Sequence, residues 1–174
     1  MENRNKWIPF WGVVAAVIVI DFITKRIAVA WLSTGAVRVW GDWLALRLVY
    51  NPGAAFGIHV GDQSRWVFMV LALIALVVLG AMVRHTHSSQ WFRLTALALV
   101  CGGAVGNLID RVRSSQGVVD FIDVFIGPVH WPTFNVADMA VSCGAIALAV
   151  VLWHEGHAEQ RLAPEREQAD PAEA

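Results

Sequence analysis

The sequence predicts a membrane all-α fold with a small β portion: four transmembrane helices plus a short β-sheet outside the bilayer. Two observations carry that prediction. Of 174 residues, 57% are hydrophobic and only 16% charged, and the apolar residues fall in long blocks instead of the narrow stripes that suit a water-soluble core. Between the first two blocks lies a segment of different character, alternating and rich in β-branched and aromatic residues. The net charge of −1 and the scattered Lys and Arg leave no electrostatic footprint for nucleic acid, which is excluded as a partner.

The first helix is expected over residues 8–32. A basic start at Arg4 and Lys6, an apolar core and Ala28-Val29-Ala30 imitate a cleavable signal peptide. Asp21, Lys25 and Arg26 stand where such a peptide should be neutral, so an uncleaved span is preferred. Asp21 and Lys25 share a face at i, i+4 with the acid first, the favourable order, and Lys25 and Arg26 can snorkel to the headgroups.

Over residues 33–64, Leu44, Leu46 and Leu48 alternate with Ala45 and Arg47, and Trp40 and Trp43 suit the interfacial belt. A small sheet lying on the membrane is predicted. Asn51-Pro52-Gly53 then turns the chain, and small Ala54-Ala55 before Phe56-Gly57 lets backbone approach another surface. A plain hairpin connector explains the same residues.

The second helix, 66–83, is long and apolar enough to span and carries no chemistry. The third, 92–110, ends unusually. Gly102 and Gly106 have the Gly-xxx-Gly spacing that allows close packing in lipid, and Asn107 and Asp110 project from one side. A tight crossing closed by an interfacial Asp110-Arg111 pair is the structural alternative. Residues 118–124 read as a short extended segment bearing Asp120 and Asp123. The fourth helix, 135–153, starts at Asn135, which can cap it with Asp138 in a capping-box-like pair. Residues 1–153 are therefore taken as one domain, and 154–174 as a polar, disordered tail.

Cys101 and Cys143 lie in apolar blocks without a pairing or metal motif. His85-Thr86-His87 and His154-Glu155-Gly156-His157 match no zinc template, and no metal or cofactor is expected. The chemistry lies instead with the carboxylates, which lipid solvates poorly. Their cluster at the end of the third helix, in the connector and at the start of the fourth is a functional-site hypothesis. If Asp120 and Asp138 meet at one water, they would hold a single proton near neutrality and support acid–base hydrolysis. A proton or ion carrier would put such groups near mid-bilayer on facing helices, and a scaffold would tolerate their loss.

The ordered set Asp21 with Thr24-Lys25, Asn51-Pro52-Gly53-Ala54-Ala55-Phe56-Gly57, Gly102 through Asp110-Arg111, Val118-Val119-Asp120-Phe121-Ile122 and Phe134-Asn135-Val136-Ala137-Asp138 resembles lipoprotein signal peptidases, the signal peptidase II family. The resemblance implies a bacterial inner-membrane, multi-pass aspartyl endopeptidase with both termini cytoplasmic and its site and sheet near the periplasmic face. Implied partners are membrane lipids, prolipoproteins cut on the N-terminal side of a diacylglyceryl-modified lipobox cysteine, and globomycin-type inhibitors. It implies Asp120 and Asp138 as the catalytic dyad, with Asp21, Asn51, Gly103, Asn107, Asp110, Arg111, Asn135 and Ala137 supporting the site. Asp123 matches no catalytic position and is read as a bystander. Lys and Arg counts on the two sides are too even to fix orientation independently.

Overall fold

A computed structural model describes residues 6–53 and 61–169. The chain runs α1 (Trp7–Leu32), β1 (Val37–Trp40), β2 (Leu44–Asn51), α2 (Ser64–His85), α3 (Trp91–Arg113), β3 (Val118–Ile126), β4 (Val129–His130) and α4 (Val136–Ala169). Ala54 to Gly57, the second half of the Asn51 motif, lie outside the described residues.

The helices are polarised the reverse of a soluble bundle. Val70, Leu71, Ile74, Val77 and Val78 of α2 face outward and are more than half exposed, as side chains solvated by lipid would be. The interior is built around α3, which packs against α1, α2 and α4. Leu97 and Ala98 are fully buried among Phe10, Val14, Leu79 and Val83. Small residues let α3 sit that close. A Cβ on Gly103 would come within 2.3 Å of the Ala137 carbonyl oxygen on α4, so this crossing requires glycine.

Among the described residues, three helices have the length and apolarity of a span: Ser64–His85, Trp91–Arg113 and, within α4, Val136–His157. The expectation was four. The remaining helix, α1, has 26 residues, and Asp21, Lys25 and Arg26 interrupt its apolar run. Nor does helical structure stop at 153, since α4 continues to Ala169. The Ala, Glu, Gln and Arg that suggested a disordered tail are also strong helix formers, and they prolong a helix already nucleated.

The sheet is larger than the 33–64 segment predicted. Its four strands lie in the order β1-β2-β3-β4, with antiparallel pairings. The extended segment after α3 thus completes the sheet begun after α1, pairing Val49 with Asp120 and Asn51 with Val118. Gly117 permits this junction. Its φ is +97°, and a Cβ there would lie 2.0 Å from the Asn51 carbonyl oxygen. Farther on, Phe134 exchanges backbone hydrogen bonds with Ile122, which brings the start of α4 beside β3.

Candidate active site

Four chain segments deliver the polar cluster: the end of β2, the last turns of α3, the middle of β3 and the first turn of α4. Asn135 is the hub. Fully buried, it donates from Nδ2 to Asp120 Oδ1 at 2.7 Å, to Asn107 Oδ1 at 3.1 Å and to the Val119 carbonyl at 3.3 Å. Its backbone N–H donates to Asp138 Oδ2 at 3.1 Å, while Asp138 N–H donates back to Asn135 Oδ1 at 2.9 Å. This reciprocal pair is a capping box with Asn and Asp in place of Ser and Glu. One residue therefore caps α4 and holds both carboxylates.

The second oxygen of each carboxylate has its own amide. Asn51 Nδ2 donates to Asp120 Oδ2 at 3.1 Å, and Asn107 Nδ2 to Asp138 Oδ1 at 2.7 Å. Asn51 is itself fixed by the Gly53 N–H, which donates to its Oδ1 at 3.0 Å. Asp120 is 2% exposed. Burial foremost, and then the nearby Asp138 charge, push its pKa from 3.8 up to about 7, against the lowering influence of Asn51, Asn135 and Lys25.

Behind this pair stands a buried ionic network centred on Lys25, which departs from expectation. In place of snorkelling to the headgroups, Lys25 is 3% exposed. Its Nζ reaches Asp21 Oδ2 at 2.7 Å, Asp110 Oδ2 at 2.9 Å and Asn107 Oδ1 at 3.0 Å. Two carboxylates and an amide replace the water that the ammonium gives up, which makes burial tolerable. Asp21 Oδ1 accepts the Ala137 N–H at 2.9 Å, satisfying an N–H that the helix start leaves open. Gly106 leaves space for Asp21, since a Cβ there would stand 2.8 Å from Oδ2.

The expected pairing of Arg111 with Asp110 is also corrected. Lys25 and the Val119 N–H both hold Asp110 at Oδ2. Arg111 lies over the Phe68 ring and donates to the Asn107 carbonyl at 3.4 Å. Its charge is felt by Asp138, Asp120 and Asp110. Asp123, on the same strand as Asp120, is nearly fully buried and binds Arg47 and His130, which makes it a clasp within the sheet. Sequence reasoning underrated Lys25 and passed over Gly117. The signal for Lys25 was available, because an ionisable group inside an apolar helix needs a named partner.

Residues 13–154 match the family described as Signal peptidase (SPase) II. The chain belongs to the signal peptidase II family. Among relatives named lipoprotein signal peptidase, that of Treponema denticola is 39% identical over 173 residues, spanning 92% of this chain and 97% of the relative. That of Burkholderia mallei is 41% identical over 143 residues, 80% of this chain and 84% of the relative. The fold is shared with a bacterial membrane enzyme solved by the in meso method at 2.3 Å resolution. The TM-score is 0.74 at 29% identity, covering 85% of this chain and 89% of that one. A second such structure, at 1.9 Å, gives a TM-score of 0.72 at 30% identity over 83% and 92%. Membership of signal peptidase II makes this chain a membrane protease.

Proposed function

We propose that the protein is an intramembrane aspartyl endopeptidase that removes signal peptides from bacterial prolipoproteins, cutting on the N-terminal side of the diacylglyceryl-modified cysteine. The observation that carries this reading is Asn135, whose side-chain amide and backbone N–H hold Asp120 and Asp138 side by side. Two neighbouring carboxylates, one with its pKa raised to about 7, share one proton at neutral pH.

In this scheme the ionised member of the pair takes a proton from water as the water oxygen attacks the scissile carbonyl carbon. The protonated member, assigned to Asp120, gives its proton to the carbonyl oxygen. Collapse of the resulting diol returns a proton to the pair, another passes to the leaving nitrogen, and the C–N bond breaks. The pair again holds one proton, and neither metal nor organic cofactor is required. Asn51 and Asn107 orient the carboxylates, and Lys25 with Asp21, Asp110 and Ala137 fixes the helices that carry them. Gly103 sets the α3–α4 spacing. Arg111 offers positive charge beside the pair.

In the proposed arrangement α1 is the fourth span, its ionic residues neutralised against α3 and α4. Both termini are then cytoplasmic in the inner membrane, with the sheet and the carboxylates near the periplasmic face. Residues 1–153 form the peptidase domain, and α4 leaves the bilayer beyond it. Membrane lipids and globomycin-type inhibitors are the further partners that this assignment brings.

The test is cleavage of a diacylglyceryl-modified prolipoprotein in detergent by the unaltered protein, Asp120→Asn and Asp138→Asn. Each loss of an acid–base group is expected to lower turnover by about 10²–10⁴-fold, with the unlipidated precursor uncut throughout. Undiminished cleavage by either variant would refute the dyad.

A further inference from the structure

A cleft of about 260 Å³ opens between α1, β2 and the α3–β3 connection. Phe22, Arg26 and Tyr50 line it from one side, Arg113 and Gln116 from the other, with Lys25 and Asp110 at its back. Neither Asp120 nor Asp138 is part of its wall. The Arg113 guanidinium lies over the Phe22 ring, 5.3 Å from the centroid, and so is held against α1.

Charge in this cleft is unbalanced. Among the described residues neither Arg26 nor Arg113 has an ion-pair partner. Asp110 is occupied by Lys25 and by the Val119 N–H. Even with both Asp21 and Asp110 counted against Lys25 and the two arginines, one positive charge is left over. The surroundings specify the depth. Ile23 and Ile27, beside Arg26 on α1, are each 49% exposed, and Trp31, just over one turn beyond Arg26, is 78% exposed. Apolar residues in that setting face hydrocarbon, and a tryptophan beyond them marks the interfacial layer.

We propose that this cleft binds the headgroup of an anionic phospholipid, with the Arg26 and Arg113 guanidiniums on its phosphate and the acyl chains along Phe22, Ile23 and Ile27. Guanidinium forks match phosphate oxygens in geometry as well as charge, and Tyr50 and Gln116 add neutral donors for a polar headgroup. A soluble anion would forgo the apolar half of the cleft. The cleft shares Lys25 and Asp110 with the frame behind the two carboxylates but not the carboxylates themselves, and its test does not depend on activity.

In native mass spectrometry of the detergent-solubilised full chain, dioctanoyl phosphatidylglycerol, dioctanoyl phosphatidylcholine and inorganic phosphate are titrated in separate arms. One saturable phosphatidylglycerol is expected, weakened about tenfold or more in Arg26→Gln/Arg113→Gln and unaffected by Arg84→Gln, which lies near Lys6 before the start of α1. Arg26→Gln alone alters only an exposed side chain. It is expected to weaken binding about threefold and decides the matter if the double variant does not fold. Equal affinity of the unaltered protein, Arg26→Gln and Arg26→Gln/Arg113→Gln would overturn the site. Phosphatidylcholine binding as tightly as phosphatidylglycerol would overturn its selectivity for anionic lipid, and inorganic phosphate binding as tightly would overturn the lipid assignment.

Discussion

Replacing Asp120 by Asn is expected to make the protein more stable at neutral and alkaline pH while removing its activity. In the folded chain Asp120 holds its proton up to about pH 7, and its ordinary value is 3.8. Between those values the unfolded chain releases a proton that the folded chain keeps. The contribution of Asp120 to stability is therefore greatest below about pH 4, falls as pH rises toward 7, and levels off above it. At about 1.4 kcal/mol per pH unit the full interval corresponds to about 4 kcal/mol, of which about 3 kcal/mol falls between pH 5 and 8. Asn cannot ionise and removes this slope. Its amide also sets a donor against either Asn51 or Asn135, costing about 1–3 kcal/mol at all pH values. Above pH 7 the variant should then be about 1–3 kcal/mol more stable than the unaltered protein. The assay is thermal unfolding in detergent from pH 5 to 8. Because other groups titrate in both proteins, the informative quantity is the difference in Tm, which should move in the variant's favour by about 6–12 °C across that range. Parallel profiles would refute the raised proton affinity of Asp120, whatever happened to activity.

Two further perturbations probe the frame around the pair. Lys25→Met should cost about 3–5 kcal/mol, because Asp21 and Asp110 would be left with no buried cation; Lys25→Met/Asp110→Asn should recover part of the loss, and a single-variant cost below about 1 kcal/mol by thermal unfolding would mean that water already serves these carboxylates. Gly117→Ala forces a Cβ into the Asn51 carbonyl at a φ of +97°, so it should cost about 1–3 kcal/mol in backbone strain alone and lower turnover by shifting Asn51 from Asp120. Unchanged Tm and turnover would show that β3 can pair with β2 by another route.

How much of this was legible beforehand depended on whether the signal was local. Long apolar blocks announce α2 and α3 because lipid demands uninterrupted apolar length. Asn135 and Asp138, three residues apart, announce the start of α4 because a capping box is a local motif. Adding β3 to the sheet required a pairing between Val118 and Asn51, and a strand's partner is not written in its own residues. The Lys25 network was hidden for the same reason. Its i, i+4 partner Asp21 was visible, but Asp110 and Asn107 come from another helix. The Asp110-Arg111 pair offered as an alternative rests on adjacency in sequence, whereas consecutive helical residues point in different directions.

The structural and catalytic readings of Asn135 cannot be separated, and that bears on how the site is held. A helix start leaves N–H groups without partners, and α4 answers three of them with site carboxylates or their holder. Asn135 N–H goes to Asp138, Asp138 N–H to Asn135, and Ala137 N–H to Asp21. The same oxygens would be costly to bury elsewhere in an apolar bundle. Placing them at the N-terminus of α4 meets the needs of both, since unpaired donors and the positive end of the helix dipole meet groups that require them. Asp120, on a strand, lacks a helix start and depends on the side chains of Asn51 and Asn135. The pair is therefore asymmetric by construction: Asp138 is anchored by a backbone N–H as well as by Asn107, and Asp120 by side chains alone, in the more buried position. In the proposed mechanism this asymmetry is the reason for assigning the shared proton to Asp120, the more buried of the two.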